Sequence, residues 1–167
     1  MTPSTPDFTL DIAGIAGACP AGERYAAGQI AARATPVLSC EGPCIRGDIA
    51  RMAANMVAEE APGLARACHA EAFFVPHSAM RRWVATAERT VMIDGCFLEC
   101  HGRVLRKLVP EEKVVRFDAL SYYRKHTDVF SMNAVPEAER RACARQVADA
   151  VIASLASGQR QEACTFP

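Results

Sequence analysis

Three of the eight cysteines in this chain recur at a constant interval. Cys40, Cys68 and Cys96 are separated from one another by 28 residues. About 28 residues is the length of one strand-plus-helix unit, and each of these cysteines follows a short apolar or small-residue run that has the character of a strand. In a parallel sheet the carboxyl ends of such strands share one edge, where α/β proteins bind ligands. The spacing therefore predicts three thiols at one edge of a parallel sheet.

The order of the predicted elements indicates the fold class. Strand-like runs are predicted at 36–40, within 65–74, at 90–94 and at 113–118. Helical spacing of apolar residues is found at 25–34, from Cys44 to the Pro62-Gly63 break, and at 76–89, 97–109 and 136–155. A loop is expected at 121–135 and a short strand at 8–12. Strands that alternate with helices predict a three-layer α/β sandwich with a mostly parallel sheet of four or more strands.

The length and the charge balance limit the number of domains and the kinds of partner that we expect. With 167 residues, we expect a single α/β metal-binding domain over 1–167, with an N-terminal extension at 1–34 and a tail at 156–167. Nineteen basic residues balance nineteen acidic ones, and no basic stripe carries interleaved aromatics, so we expect no nucleic-acid partner. No apolar run reaches the roughly 18 residues that a membrane span requires, so we expect no membrane association.

The N-terminal segment is informative about the cellular compartment in which the protein is expected to lie. Residues 1–18 lack the basic start and the apolar centre of a secretion signal, and Asp7 and Asp11 interrupt them. We therefore expect a cytoplasmic protein whose thiols stay reduced. Eight cysteines in that setting indicate metal ligands or reactive thiols before disulfides.

Two of the regularly spaced cysteines begin a C-x-x-x-C pair, Cys40/Cys44 and Cys96/Cys100. Residues four apart on a helix lie on one face, so both sulfurs of such a pair can reach one ion. Each pair lies where a helix begins, and the positive end of a helix favours thiolate. If the two strands are neighbours, four sulfurs point into one crevice and Cys68 approaches from the second unit. Because zinc prefers four tetrahedral thiolate or imidazole ligands, these five cysteines predict a zinc site.

Other interpretations of the same cysteines stay open. Four thiolates also suit an iron–sulfur cluster, so an iron–sulfur or thiol redox protein is the alternative function. A hydrolase with a cysteine nucleophile is a third possibility, but the sequence offers no convincing general base. No catalytic residue is assigned, and a small-molecule ligand at the metal site is left open.

The segment Ile93–Cys100 resembles the signature of the DGC-domain family, which is named for its Asp-Gly-Cys and carries a second cysteine four residues later. The family also has an upstream Cys-x-Gly segment with a later glycine before a helix, which Cys40, Gly42 and Gly47 match. A further family cysteine corresponds to Cys68. The resemblance implies zinc binding and no defined biochemical role.

The fourth ligand is open between two cysteines. The resemblance favours Cys68, because the family pattern includes that cysteine and lacks Cys44. Helical spacing favours Cys44, because it lies one turn from Cys40. We lean slightly to Cys68, since the strand order is itself an inference at this point.

Several further residues have two interpretations each. Asp94 either orients a metal ligand or, as we favour, caps the following helix. His69 and His101 each follow a cysteine and could supply a nitrogen ligand, although adjacent side chains on a helix diverge. The segment 122–125 either lines a pocket for an anionic substrate or anchors a surface loop. Cys143 lies on an apolar helical stripe and is predicted to be a core residue.

Overall fold

The computed structural model describes residues 7–158. The strands are β1 (Thr35–Ser39), β2 (Leu64–Arg66), β3 (Thr90–Asp94) and β4 (Val114–Asp118). The helices are α1 (Pro20–Ala31), α2 (Ile45–Glu60), α3 (His69–Phe74), α4 (Ala79–Thr86), α5 (Cys100–Leu105), α6 (Ala119–Tyr123) and α7 (Glu137–Ser157). Single 3-10 turns lie at Glu111–Lys113 and Met132–Ala134. Within the described range, no helix is long and apolar enough to cross a lipid bilayer.

The four strands form one sheet in which every pairing is parallel. The strand order is β2-β1-β3-β4. From β1 the chain moves outward to β2, and it then returns to the other side of β1 to form β3. The direction of winding therefore reverses between β1 and β3, and the crevice outside the carboxyl ends of such strands is the usual ligand site of an open α/β sheet.

Helices cover both faces of the sheet because successive strand residues point to opposite sides. Val37, Val91 and Ile93 pack in the cluster that contains buried residues of α2, α6 and α7. Leu38 and Met92 pack in the cluster that contains buried residues of α1, α3, α4 and α5. The predicted three-layer α/β sandwich is confirmed, and the strands are apolar on both faces as expected for a parallel sheet.

Two short helices occupy segments for which we expected other structure. The run at 65–74 contains only three residues of strand, and α3 takes its second half. The segment expected to be a loop begins within α6, where the carboxylate of Asp118 accepts a hydrogen bond of 3.0 Å from the Leu120 amide. Helices of five or six residues have little stability of their own, so packing against the rest of the protein determines whether they form. The buried rings of Phe73 and Tyr123 supply that packing.

The N-terminal part differs from the expectation in two ways. Residues 7–19 contain no strand or helix, so the short strand expected at 8–12 is wrong. Helix α1 begins earlier than expected, at Pro20, and packs on α4 through Tyr25 and Trp83, whose ring centroids lie 6.0 Å apart. The Trp83 indole N–H also donates to the Ala34 carbonyl at 2.8 Å. Cys164 lies outside the described residues.

Candidate metal centre

All three regularly spaced cysteines lie at the carboxyl edge of the sheet. Cys40 directly follows β1, whereas Cys68 and Cys96 stand two residues beyond the ends of β2 and β3. The Cys40 amide donates to the Ile93 carbonyl at 2.9 Å, which extends the pairing of β1 with β3 to the start of the loop. Because β1 lies between β2 and β3, the loop that begins at Cys40 is the middle one of the three.

The sulfurs of Cys40 and Cys44 flank a single glycine. A Cβ atom built on Gly42 would lie 3.5 Å from the Cys40 Sγ and 3.9 Å from the Cys44 Sγ. The first C-x-x-x-C pair therefore has both sulfurs close to one point of the loop between β1 and α2. Cys44 is the N-cap residue of α2, and its side chain accepts no hydrogen bond from the first turn.

Two glycines bring the first turn of α2 against the neighbouring loops. A Cβ atom on Gly47 would collide with the carbonyl oxygen of Gly42. A Cβ atom on Gly95 would lie 2.9 Å from the backbone carbonyl carbon and oxygen of Arg46. Since real Cβ atoms do not approach backbone so closely, only glycine permits this packing. The loop after β1, the turn after β3 and the start of α2 are consequently held together.

The second pair lies in the turn after β3. Cys96 is half-buried in that turn, and Cys100 is the first residue of α5. Between them Glu99 adopts a left-handed conformation with φ of 46°, and its amide donates to the Cys96 carbonyl at 3.0 Å. The charge of Cys100 acts on the Cys96 thiol, as does the Arg46 guanidinium from the start of α2.

Burial has the largest effect on the pKa of Cys40 and of Cys96, two of the three half-buried thiols. It raises the pKa of Cys40, while the backbone N–H groups of Gly42 and Gly95 act in the opposite direction. It also raises the pKa of Cys96, against the lowering effects of the Leu98 N–H group and the Arg46 guanidinium. Because a metal binds thiolate, these thiols would release protons when an ion is bound.

A comparison with protein-family models decides which family this architecture represents. The DGC-domain model matches residues 36–140, which is more than half of the chain and contains both cysteine pairs and all of the sheet except the first residue of β1. The chain belongs to the DGC-domain family. Comparison with the curated proteins and with the solved structures found no match.

The candidate metal-binding side chains of this DGC domain do not surround a single point. Among residues 7–158, no three His, Cys, Asp or Glu side chains are grouped in a way that could hold a metal ion. The donor atoms at the carboxyl edge fit zinc by their chemistry, since soft thiolates are preferred zinc ligands. The sulfurs of Cys40 and Cys44 lie close to one point near Gly42, and the charge of Cys100 acts on the Cys96 thiol. A bound ion would require the pairs to turn toward each other.

Cys68 has a different environment from the paired cysteines. Its side chain is exposed, and its amide donates to the Met80 sulfur at 3.4 Å. The next residue, His69, contacts the ring of His101 edge to face with 4.7 Å between ring centroids. Burial lowers the pKa of both histidines. The sequence placed these histidines beside different cysteines, and their contact across α3 and α5 was not expected.

Asp94 of the Asp-Gly-Cys segment is a buried carboxylate that contacts the start of α5. Its Oδ1 accepts a hydrogen bond of 3.3 Å from the Gly102 amide in the first turn of that helix, as the favoured interpretation predicted. The N-cap position itself belongs to Glu99. The Oδ2 atom of Asp94 is buried without a hydrogen-bond partner, and burial raises the pKa of Asp94 to about 7.

Sequence reasoning missed the role of Arg46 and Tyr123 at this edge. Arg46 lies six residues after Cys40, in the first turn of α2. Its short distance in sequence from the end of a predicted strand could have indicated that it lies at the carboxyl edge. Tyr123 was considered only as part of the segment 122–125, yet its ring is buried. The charges of Cys143, Arg46 and Cys44 act on its hydroxyl group. Cys143 itself is buried, as predicted.

Proposed function

We propose that this DGC domain is a zinc-binding protein whose site lies at the carboxyl edge of the sheet. The ligands are the thiolates of Cys40, Cys44, Cys96 and Cys100, and Cys68 follows the neighbouring strand β2. One observation carries the proposal: two C-x-x-x-C pairs stand on either side of the point where the strand order reverses between β1 and β3.

The chemistry of the residues supports this assignment. Four thiolates form a closed tetrahedral zinc site of the structural type. Zinc bound there would join the loop after β1 to the turn after β3, which already meet the first turn of α2 through Gly47 and Gly95. The folded chain already holds these backbone segments close together. Binding of the ion would therefore need to order only the cysteine side chains.

Metal analysis of the native protein tests the proposal. We expect about one zinc per chain to survive purification. Cys96→Ser should lose the zinc and much of the stability, because the binding free energy of a structural zinc, about 10 kcal/mol or more, contributes directly to folding. Elemental analysis measures the first effect, and thermal unfolding measures the second.

Cys143→Ser is the matched control, since Cys143 is buried in the core cluster around α2 and α7 and belongs to neither C-x-x-x-C pair. It should keep the full zinc content. Full zinc in Cys96→Ser would contradict the proposal. Iron with acid-labile sulfide and a brown colour in protein purified without oxygen would favour the iron–sulfur alternative.

A further inference from the structure

Each C-x-x-x-C pair has one glutamate between its two cysteines. Glu41 lies inside the first pair, and Glu99 lies inside the second. Both carboxylates are partly buried, with side chains that are 21% and 29% exposed. Each of them pairs with an arginine of the outer strand that flanks its loop, Arg66 of β2 or Arg116 of β4. The two cysteine loops are therefore contacted in the same way from opposite edges of the sheet.

Arg66, the last residue of β2, contacts the first loop through a set of hydrogen bonds. Its Nη2 donates to the Glu41 Oε1 at 2.6 Å and to the Ser39 Oγ at 3.0 Å. Its Nη1 donates to the Val37 carbonyl of β1 at 2.8 Å, and its Nε donates to the Asn55 Oδ1 of α2 at 2.8 Å. Because the guanidinium is planar and its donors have fixed directions, these contacts tie the loop to β1 and to α2 at once.

The side chain of Ser39 completes this network. Ser39 is fully buried at the end of β1, and its Oγ donates to the Glu41 Oε1 at 2.7 Å. One oxygen of Glu41 thus accepts from a charged donor and from a neutral one. Charge-assisted hydrogen bonds are the stronger kind, and a partly buried network reinforces them. The residue directly after Cys40 is consequently fixed in place.

The second loop is held by two arginines. The Arg116 Nη1 donates to the Glu99 Oε2 at 3.1 Å, and the Arg106 Nη1 donates to the same oxygen at 2.6 Å. Glu99 has a left-handed backbone conformation with φ of 46°. A residue other than glycine keeps such a conformation only where the surrounding contacts compensate its cost. The two ion pairs are contacts of this kind, and they lie in the turn between Cys96 and Cys100.

We propose that Arg66 and Arg116 are positioning residues of the cysteine site, and that each holds one C-x-x-x-C loop by its glutamate. The inference rests on the proposed zinc site and adds to it the residues that arrange its ligands in advance. Residues that orient metal ligands from outside change metal affinity by about 10–100-fold when they are replaced. With both carboxylates held by guanidinium groups, the thiolates are the donors left for the ion, which suits a soft metal.

Zinc affinity, measured by competition with a chromogenic chelator, tests the positioning role. Arg66→Ala should weaken zinc binding about tenfold or more, because it removes the ion pair of Glu41 together with the contacts to β1 and α2. Arg116→Ala should weaken it less, because Arg106 still contacts Glu99. Thermal unfolding establishes that each variant is folded, and Arg66→Gln replaces Arg66→Ala if the latter is not.

Amide hydrogen exchange supplies a readout that a merely structural role would not produce. It is measured by mass spectrometry with excess zinc present, so that the unmodified chain and Arg66→Ala are equally loaded. The loop at 40–44 should exchange several-fold faster in Arg66→Ala, whereas helix α7 should be unchanged. Equal acceleration of the loop and of α7 would show a general loss of stability and overturn the inference.

Arg145→Ala is the matched control. Arg145 also pairs with two carboxylates, those of Glu60 and Asp149, but it lies on α7, and its ion pairs within residues 7–158 involve neither cysteine loop. This variant should bind zinc as the unmodified chain does. Zinc affinity that is lowered equally in Arg66→Ala and Arg145→Ala would overturn the inference, because the effect would not depend on the loop.

The binding measurements separate the positioning role from the zinc site itself. No zinc binding by the unmodified chain would overturn the proposed function and the positioning role with it. Zinc binding that is equally tight in the unmodified chain and in Arg66→Ala would overturn the positioning role alone and leave the zinc site in place.

Discussion

The fourth ligand of the proposed zinc site is either Cys44 or Cys68, and these two cysteines differ in environment. Cys44 shares Gly42 as a neighbour with Cys40, so their sulfurs stand close to one point of the loop. Cys68 is exposed, although β2 lies next to β1 and brings its chain to the same edge. The family pattern favours Cys68, whereas the position of the sulfurs supports Cys44. We therefore favour Cys44 as the ligand.

Cobalt substitution distinguishes the two. Cys44→Ser should reduce the thiolate-to-cobalt charge-transfer absorption by about a quarter, since one of four thiolates is lost. Cys68→Ser should leave the absorption unchanged. A loss in Cys68→Ser with full intensity in Cys44→Ser would reverse the assignment, and the visible spectrum of the cobalt protein measures both.

The position of helix α2 depends in part on the close contact of Gly47 with the loop after β1. Gly47→Ala places a methyl group against the Gly42 carbonyl, and overpacking against backbone should lower the free energy of unfolding by about 1–3 kcal/mol. Gly28→Ala in α1 is the control, because nothing lies within 4 Å of its Cβ position. There the helix propensity of alanine should raise the stability by about 0.5–1 kcal/mol. Urea denaturation measures both changes, and two variants of equal stability would show that the close approach of α2 is not required.

Helices α2 and α7 are joined by a buried carboxylate as well as by apolar packing. Asp48, 6% exposed, contacts Arg140 of α7 and pairs with Arg51 of its own helix at 2.7 Å. Arg140→Ala leaves that carboxylate with one partner and should destabilise the protein by about 1.5–3 kcal/mol.

Arg141→Ala is the comparison for this helix pair, since Arg141 forms an exposed ion pair with Glu137 at 3.4 Å. Its loss should cost less than about 0.5 kcal/mol. Chemical denaturation of both variants decides the matter. A loss in Arg140→Ala no larger than that in Arg141→Ala would mean that apolar contacts alone hold α7 against α2.

The molecule as a whole is organised around two central strands. Every residue of β3 is buried, and four of the five residues of β1 are buried, whereas β2 is a three-residue edge strand with no buried residue. We expect the amides of β1 and β3 to exchange slowest with solvent, because their opening requires global unfolding, and those of β2 to exchange faster. Amide hydrogen exchange followed by NMR measures this order. Equal protection of β2 and β1 would contradict it.

Local patterns predicted most elements because they were long or clearly apolar. Strand β3 has the predicted bounds, and α2 ends where Pro62 and Gly63 interrupt the chain. The short helices α3 and α6 were missed, since six or five residues give too little periodicity to separate them from strand or loop. Asp118 followed by Ala119 was an available signal for α6, because aspartate is a preferred N-cap residue.

The sequence by itself determined the α/β class, the family signature and the occurrence of cysteines after β1, β2 and β3. These depend on residue order and apolar periodicity, which are local properties of the chain. Only the tertiary structure decided that β1 lies between β2 and β3, so that the two cysteine pairs follow neighbouring strands. It also decided that the hydroxyl of Tyr123 is buried without a hydrogen-bond partner. Such neighbours arise from contacts between residues distant in the chain, and the free energy of those contacts comes from packing that no local pattern records.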